Sequence, residues 1–277
     1  MAMQSSGAPG RPSRIARLRR AVGHSPVGRG WRRGSDMELG QRSLGFAALG
    51  LLTLVPLLII VASAEPERGR GFAQWLGEGL GVSGDARTQV ERLFSRPSQA
   101  LRSTTGFGIA ALAVFGLTFG GAVQTGYEKV WDLAPARWHA VWRHAVWLTV
   151  LTGFLFVTAT TTLARRSPGG GVGASLGAVV FLWWSQHVLL GGRVRWGALL
   201  PGAVATLLGL LGLRVFSRLV FSPLIASNAV AYGPIGTVLV LQSWLVGVGV
   251  VVFGGALVGR LLDEEIARYT RARKGSG

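Results

Sequence analysis

From Ile235 to Gly259 the chain runs "IGTVLVLQSWLVGVGVVVFGGALVG", 25 residues without a charge. In water this mixture of glycine and β-branched valine disfavours a helix, since glycine alone costs about 1 kcal/mol relative to alanine. In hydrocarbon no solvent competes for the backbone, and only internal hydrogen bonding can satisfy it. At 1.5 Å per residue the run is long enough to cross the ~30 Å core of a bilayer. This segment is therefore read as a membrane helix.

Five further runs have the same character. They are 43–63, 106–123, 144–163, 172–190 and 196–213. Composition agrees, because the chain is 49% hydrophobic and only 15% charged. An ordinary globular domain is roughly 25% charged. The expected fold is thus all-α: a polytopic membrane protein of about six transmembrane helices. A basic tail, 1–42, precedes the membrane domain at 43–262, and a second basic tail, 263–277, follows it. Residues 64–105 form the one sizeable loop outside the membrane runs.

Lys and Arg collect on cytoplasmic flanks. With the N-terminus inside, nineteen of them fall on the cytoplasmic side and ten on the other, Arg214 and Arg218 among the ten. The bias favours both termini in the cytoplasm and a multi-pass protein of the cytoplasmic membrane. The apolar run before "ASA" (62–64) is longer than a cleavable leader's core, so a signal anchor is expected.

A net charge of +17 raises the question of nucleic acid. However, the charges flank membrane runs, and Ile15, Leu18 and Val22 fall at helical spacing between arginines. That pattern suits either contact with anionic lipids of the inner leaflet or a disordered tail, and no specific nucleic-acid partner is expected. In the outer loop, Phe72, Trp75, Leu76 and Leu80 share one helical face. Ala86, Val90, Leu93 and Phe94 share another, with Asp85 as its cap and Pro97 as its end. Two short amphipathic helices at the outer interface, or a soluble loop packed on the helix ends, would each satisfy the pattern.

Chemical motifs fail on their context. "GLGVSG" (79–84) follows no buried strand, and "GASLG" (173–177) lies in a membrane run rather than a strand–turn–helix. His187 lies ~18 Å along the same axis from Ser175. The four histidines are dispersed, there is no cysteine, and Glu128 with Asp132 reads as a solvated helical face. No cofactor, metal site or catalytic group is expected.

Small residues instead suggest packing. Gly116/Gly120, Gly173/Gly177, Gly255/Gly259 and Ala198/Gly202 have the spacing that lets helices approach closely. Gly202, beside Pro201, is expected to be far less tolerant of a larger residue than Gly209. Gln124, Thr158, Gln186, His187, Gln242 and Ser243 are polar residues inside or beside the apolar runs. They suit either a path lining or hydrogen bonds between helices.

Four elements together resemble one family. These are "VQTGYEKVWDL" with Gln124, Tyr127 and Trp131; Pro56 in "LTLVPLL"; "RWGALLPGA" with Pro201 and Gly202; and "YGPIG" with Tyr232, Gly233 and Gly236, followed by Trp244. In order and spacing they resemble the YihY/BrkB family of inner-membrane proteins, once labelled ribonuclease BN. The resemblance covers about 43–262. It implies six helices with both ends cytoplasmic, and a role in envelope integrity or transport. Two departures stand out: Ala48 and Leu49 replace an aromatic pair usual in the first helix. "GALV" (255–258) also replaces a usual Gly-Ala-Glu-Leu, so Leu257 stands where an intramembrane glutamate would support proton coupling. A transporter or lipid-handling protein, a non-transporting scaffold and an enzyme are the three readings. The last lacks any visible acid–base or metal chemistry. A hydrated cavity faced by Gln124, Gln186 and Gln242 would favour the first, and a dry bundle with those residues paired the second.

Overall fold

The computed structural model describes residues 38–64, 105–136, 141–160 and 170–274. The N-terminal tail to 37 and nearly all of the outer loop, with its two expected amphipathic helices, lie outside them. Among the described residues every regular element is helical. These are α1 (Leu39–Ala64), α2 (Thr105–Val130), α3 (Val141–Thr160), α4 (Gly170–Leu189) and α5 (Trp196–Lys274). Four segments are long and apolar enough to cross a membrane: Gly108–Val130, Val141–Thr158, Trp196–Val220 and Val238–Arg273. The runs expected at 43–63 and 172–190 lie within α1 and α4 but are not among those four.

The fifth and sixth runs do not form two separate helices joined by a loop. Helical backbone extends over all 79 residues of α5. Straight, such a helix would be about 118 Å long. Yet Gly209 abuts Val251, Gly247 abuts Leu213, and Gly202 abuts Gly255 and Gly259. These pairs run antiparallel, so α5 folds back on itself into two limbs, 196–220 and 238–274. The second limb stays helical through Lys274, so most of the basic C-terminal tail continues the helix.

Helix ends are closed by their own sequence. At the end of α2, Leu133 N–H donates to Glu128 O (2.8 Å) and Asp132 N–H to Lys129 O (3.2 Å), with Asp132 at φ 54°. Gly192 N–H donates to His187 O and Gly191 N–H to Val188 O, both at 3.0 Å, at the end of α4. Both are Schellman closures, which place one residue in the left-handed region. Glycine fills that place after α4, with Gly191 at φ 66°. Asparagine and aspartate are the other side chains that visit it routinely, as Asp132 does.

Phe46 joins three helices. Its ring meets Phe119 of α2 (5.0 Å, 60°) and Phe253 of the second α5 limb (5.9 Å, 83°). Phe253 also meets Tyr127 edge-on at 6.0 Å. Such pairs contribute about 0.5–1.5 kcal/mol each beyond their area, and here they seat α1 between α2 and α5. Close approach depends on glycine at Gly249, where an added Cβ would lie 3.0 Å from Ser43 Cα.

Candidate functional site

Two features lie side by side in the bundle: a polar cluster at the C-terminal end of α2, and an apolar chamber between the helices. Glu128 builds the first. Its carboxylate is 4% exposed and accepts from Gln124 Nε2 (2.8 Å), from Ala136 N–H (3.1 Å) and from the Arg193 guanidinium, with which it forms an ion pair. Arg193 also donates to Ala134 O (2.6 Å) and Leu190 O (2.9 Å). Gln124 Oε1 is 2.6 Å from His144 Nε2 on α3, extending the chain of polar contacts. Arg260 approaches α2 from the other side, donating to Val130 O (2.7 Å) and Glu264 (2.9 Å) and lying 3.7 Å from Asp132. Two cations at the C-terminal end of α2 complement its helix dipole.

This cluster corrects the sequence reading of Glu128 and Asp132 as one solvated face. Asp132 is 82% exposed, but Glu128 is buried. The bundle therefore does hold a buried charge. Its partner Arg193 sits in the α4–α5 turn, 65 residues away, and no local pattern announces that meeting.

The chamber has a volume of about 380 Å³. All five helices line it: Phe46 of α1, Phe119 and Tyr127 of α2, Trp147 and Phe154 of α3, Ala178, Phe181 and Ser185 of α4, and Leu210, Arg214, Trp244 and Val252 of α5. Phe154 and Phe181 stack face to face at 4.4 Å and 4°, forming one wall. Ser185 accepts from Trp147 Nε1, which removes one of the few polar groups facing the space. What remains is an apolar volume with Arg214 as its one charged lining residue among the described residues. Sequence reading placed Arg214 beyond the fifth run, in a loop. The helix continues past it, and Leu210, Leu211 and Arg214 share one face at i, i+1 and i+4. That spacing was the available signal.

The three glutamines do not line this chamber. Gln124 belongs to the Glu128 cluster. Gln242 faces α1, with its Nε2 donating to Ala47 O (3.3 Å) and its Oε1 accepting from Ala48 N–H (3.2 Å). Gln186 is fully buried with neither amide atom hydrogen-bonded, and its Oε1 lies 3.2 Å from where a Gly202 Cβ would stand. His187 stacks on Trp196 at 3.8 Å instead of facing the interior.

Of the other sequence candidates, Tyr127 and Trp244 line the chamber, and Trp131 packs against the core at the end of α2. Pro56 is buried within α1, and Pro201 is half-buried in the first α5 limb. Gly202 and Gly236 are buried. Tyr232 and Gly233 lie on helical backbone, and their side-chain environment is outside the described residues. The glycine pairs divide. Gly116 and Gly120 face α3, and Gly255 and Gly259 face the opposing α5 limb, whereas nothing lies within 4 Å of a Cβ added at Gly173 or Gly177.

Apolar spans, a helical hairpin and an apolar chamber between the helices define a helical membrane protein. Within that class the chain belongs to the BrkB family: the family model described as "Virulence factor BrkB" matches residues 31–276. No curated protein and no solved structure matches it significantly.

Proposed function

We propose that this is a multi-pass protein of the cytoplasmic membrane, with six spans and both termini in the cytoplasm, that handles lipid and thereby serves envelope integrity or transport. The observation that carries the reading is the ~380 Å³ chamber with almost wholly apolar walls. Ligand pockets run from about 300 to 1,000 Å³, so a chamber at the lower end suits one apolar chain better than a bulky ligand. Its walls suit neither an ion nor a sugar. Among the described residues its lining includes no general acid–base pair, and the proposed role involves no catalysis. The basic tails would hold the cytoplasmic face to anionic lipids.

A non-transporting scaffold is the second reading. Gln242, bonded to the α1 backbone, and Gln124, bonded within the Glu128 cluster, favour it, since both stitch helices together.

Counting the lipids that stay bound after detergent extraction separates the two. Ala178→Phe together with Leu210→Phe should fill the chamber and reduce bound lipid by half or more, while the elution volume stays unchanged. Unchanged lipid retention in that variant would leave the scaffold reading.

A further inference from the structure

Among the residues lining the chamber, the position of Arg214 stands out. Arg260 holds the Val130 end of α2 beside the end of the second α5 limb, and Arg193 holds it beside the start of the first. Tyr127 meets Phe253 of the second limb, and the pairing of Gly209 with Val251 and of Leu213 with Gly247 sets Arg214 about seven residues, ~10 Å, along the bundle from the level of Phe253. Tyr127 and Arg214 thus stand roughly 10 Å apart along the wall of one apolar space. In the same register Arg260 lies opposite residue 200, about 21 Å from Arg214, so Arg214 falls within a hydrocarbon core ~30 Å thick, on the side away from the Glu128 cluster.

An ionisable side chain at this depth is expensive and marks a site by default. Arginine stays charged and presents a planar fork of donors matched to carboxylate and phosphate oxygens. We infer that the chamber selects an anionic amphiphile: its head is held by Arg214 on the side remote from the Glu128 cluster, and its single chain extends between Phe119, Phe154 and Phe181 toward Tyr127. This rests on the chamber being a lipid site and adds the charge of the head, the number of chains and their direction. A carboxylate and a phosphate share the required chemistry.

The test uses the full chain in nanodiscs of zwitterionic lipid, with occupancy read by native mass spectrometry. Three twelve-carbon probes are offered at equal concentration: dodecanoate, dodecyl phosphate and dodecanol. The two anions should occupy the wild-type protein about tenfold more than the alcohol, as one charge-assisted pair allows. Arg214→Gln should abolish that preference while dodecanol occupancy is retained, and Arg214→Lys should keep most of it. The stronger of the two anions identifies the head as carboxylate or phosphate, and either supports the inference. Equal occupancy by all three probes in the wild type overturns selection by charge while leaving a lipid chamber. Preference surviving in Arg214→Gln overturns the role of Arg214. Binding of none of the three overturns the lipid-site reading itself.

Discussion

Glu128 of α2 and Arg193 of the α4–α5 turn form an ion pair whose carboxylate is buried and whose guanidinium is one-third exposed. Removing one member of a buried pair leaves the other charge uncompensated, and typically costs 3–5 kcal/mol. Water reaching Arg193 lowers that figure here. Glu128→Ala should therefore destabilise the bundle by about 2–4 kcal/mol. Thermal unfolding in mild detergent would measure it. Asp132→Ala, at an exposed site, should change the transition little, and equal effects of the two would remove the special place given to Glu128.

Oxidative cross-linking tests the hairpin of α5. A Cβ built on Gly209 lies 3.6 Å from Val251 Cβ, within the 3.5–4.5 Å that a disulfide spans. The chain has no native cysteine. Gly209→Cys with Val251→Cys should cross-link readily under mild oxidation. Leu219→Cys with Val251→Cys should not, since residue 219 lies ten residues further along the first limb. A straight α5 would hold positions 209 and 251 about 63 Å apart, and no cross-link would then form.

Glycine tolerance should follow the opposing limb. A Cβ at Gly255 would overlap Thr206 Oγ1 and lie 2.8 Å from Thr206 N, whereas one at Gly254 would meet nothing within 4 Å. Gly255→Ala should cost about 1–3 kcal/mol by overpacking. Gly254→Ala should be neutral or slightly stabilising. The yield of monodisperse protein compares them directly.

Topology is accessible to thiol labelling. Cysteines at Glu38 and Tyr269 should react with an impermeant reagent only after permeabilisation, and one at Arg165 should react in intact cells. Labelling of Tyr269→Cys from outside would invert the proposed orientation.

The membrane character was legible because hydrocarbon permits so few backbone solutions: an uncharged run such as 235–259 has little choice but helix. Side-chain partners were less legible. Gly202 was expected to be the crowded position and Gly209 an ordinary one. In the structure both lie against the opposing limb: Gly202 packs on its backbone, with Gly255 O 3.3 Å and Ala256 Cα 3.5 Å from an added Cβ, while a Cβ at Gly209 would meet the Val251 side chain at 2.6 Å. The spacing of small residues reports which faces can approach, while the register of the opposing limb decides which glycines actually do. Glu128 and Arg214 were misjudged for a related reason. One looked solvated because its partner is distant in sequence, and the other looked like a loop charge because the apolar run ended one residue before it.

The seating of α1 also orders events in time. Phe46 and Ser43 reach their partners Phe253 and Gly249 only after some two hundred further residues have been made. At translation rates of about 5–20 residues per second, that interval lasts roughly 10–40 s. Throughout it the first helix lacks its final neighbour, and any chain that stalls before the second α5 limb emerges remains unclosed. The last helix synthesised is the one that locks the first, so a product truncated before it leaves the α1 face of Ser43 and Phe46 open.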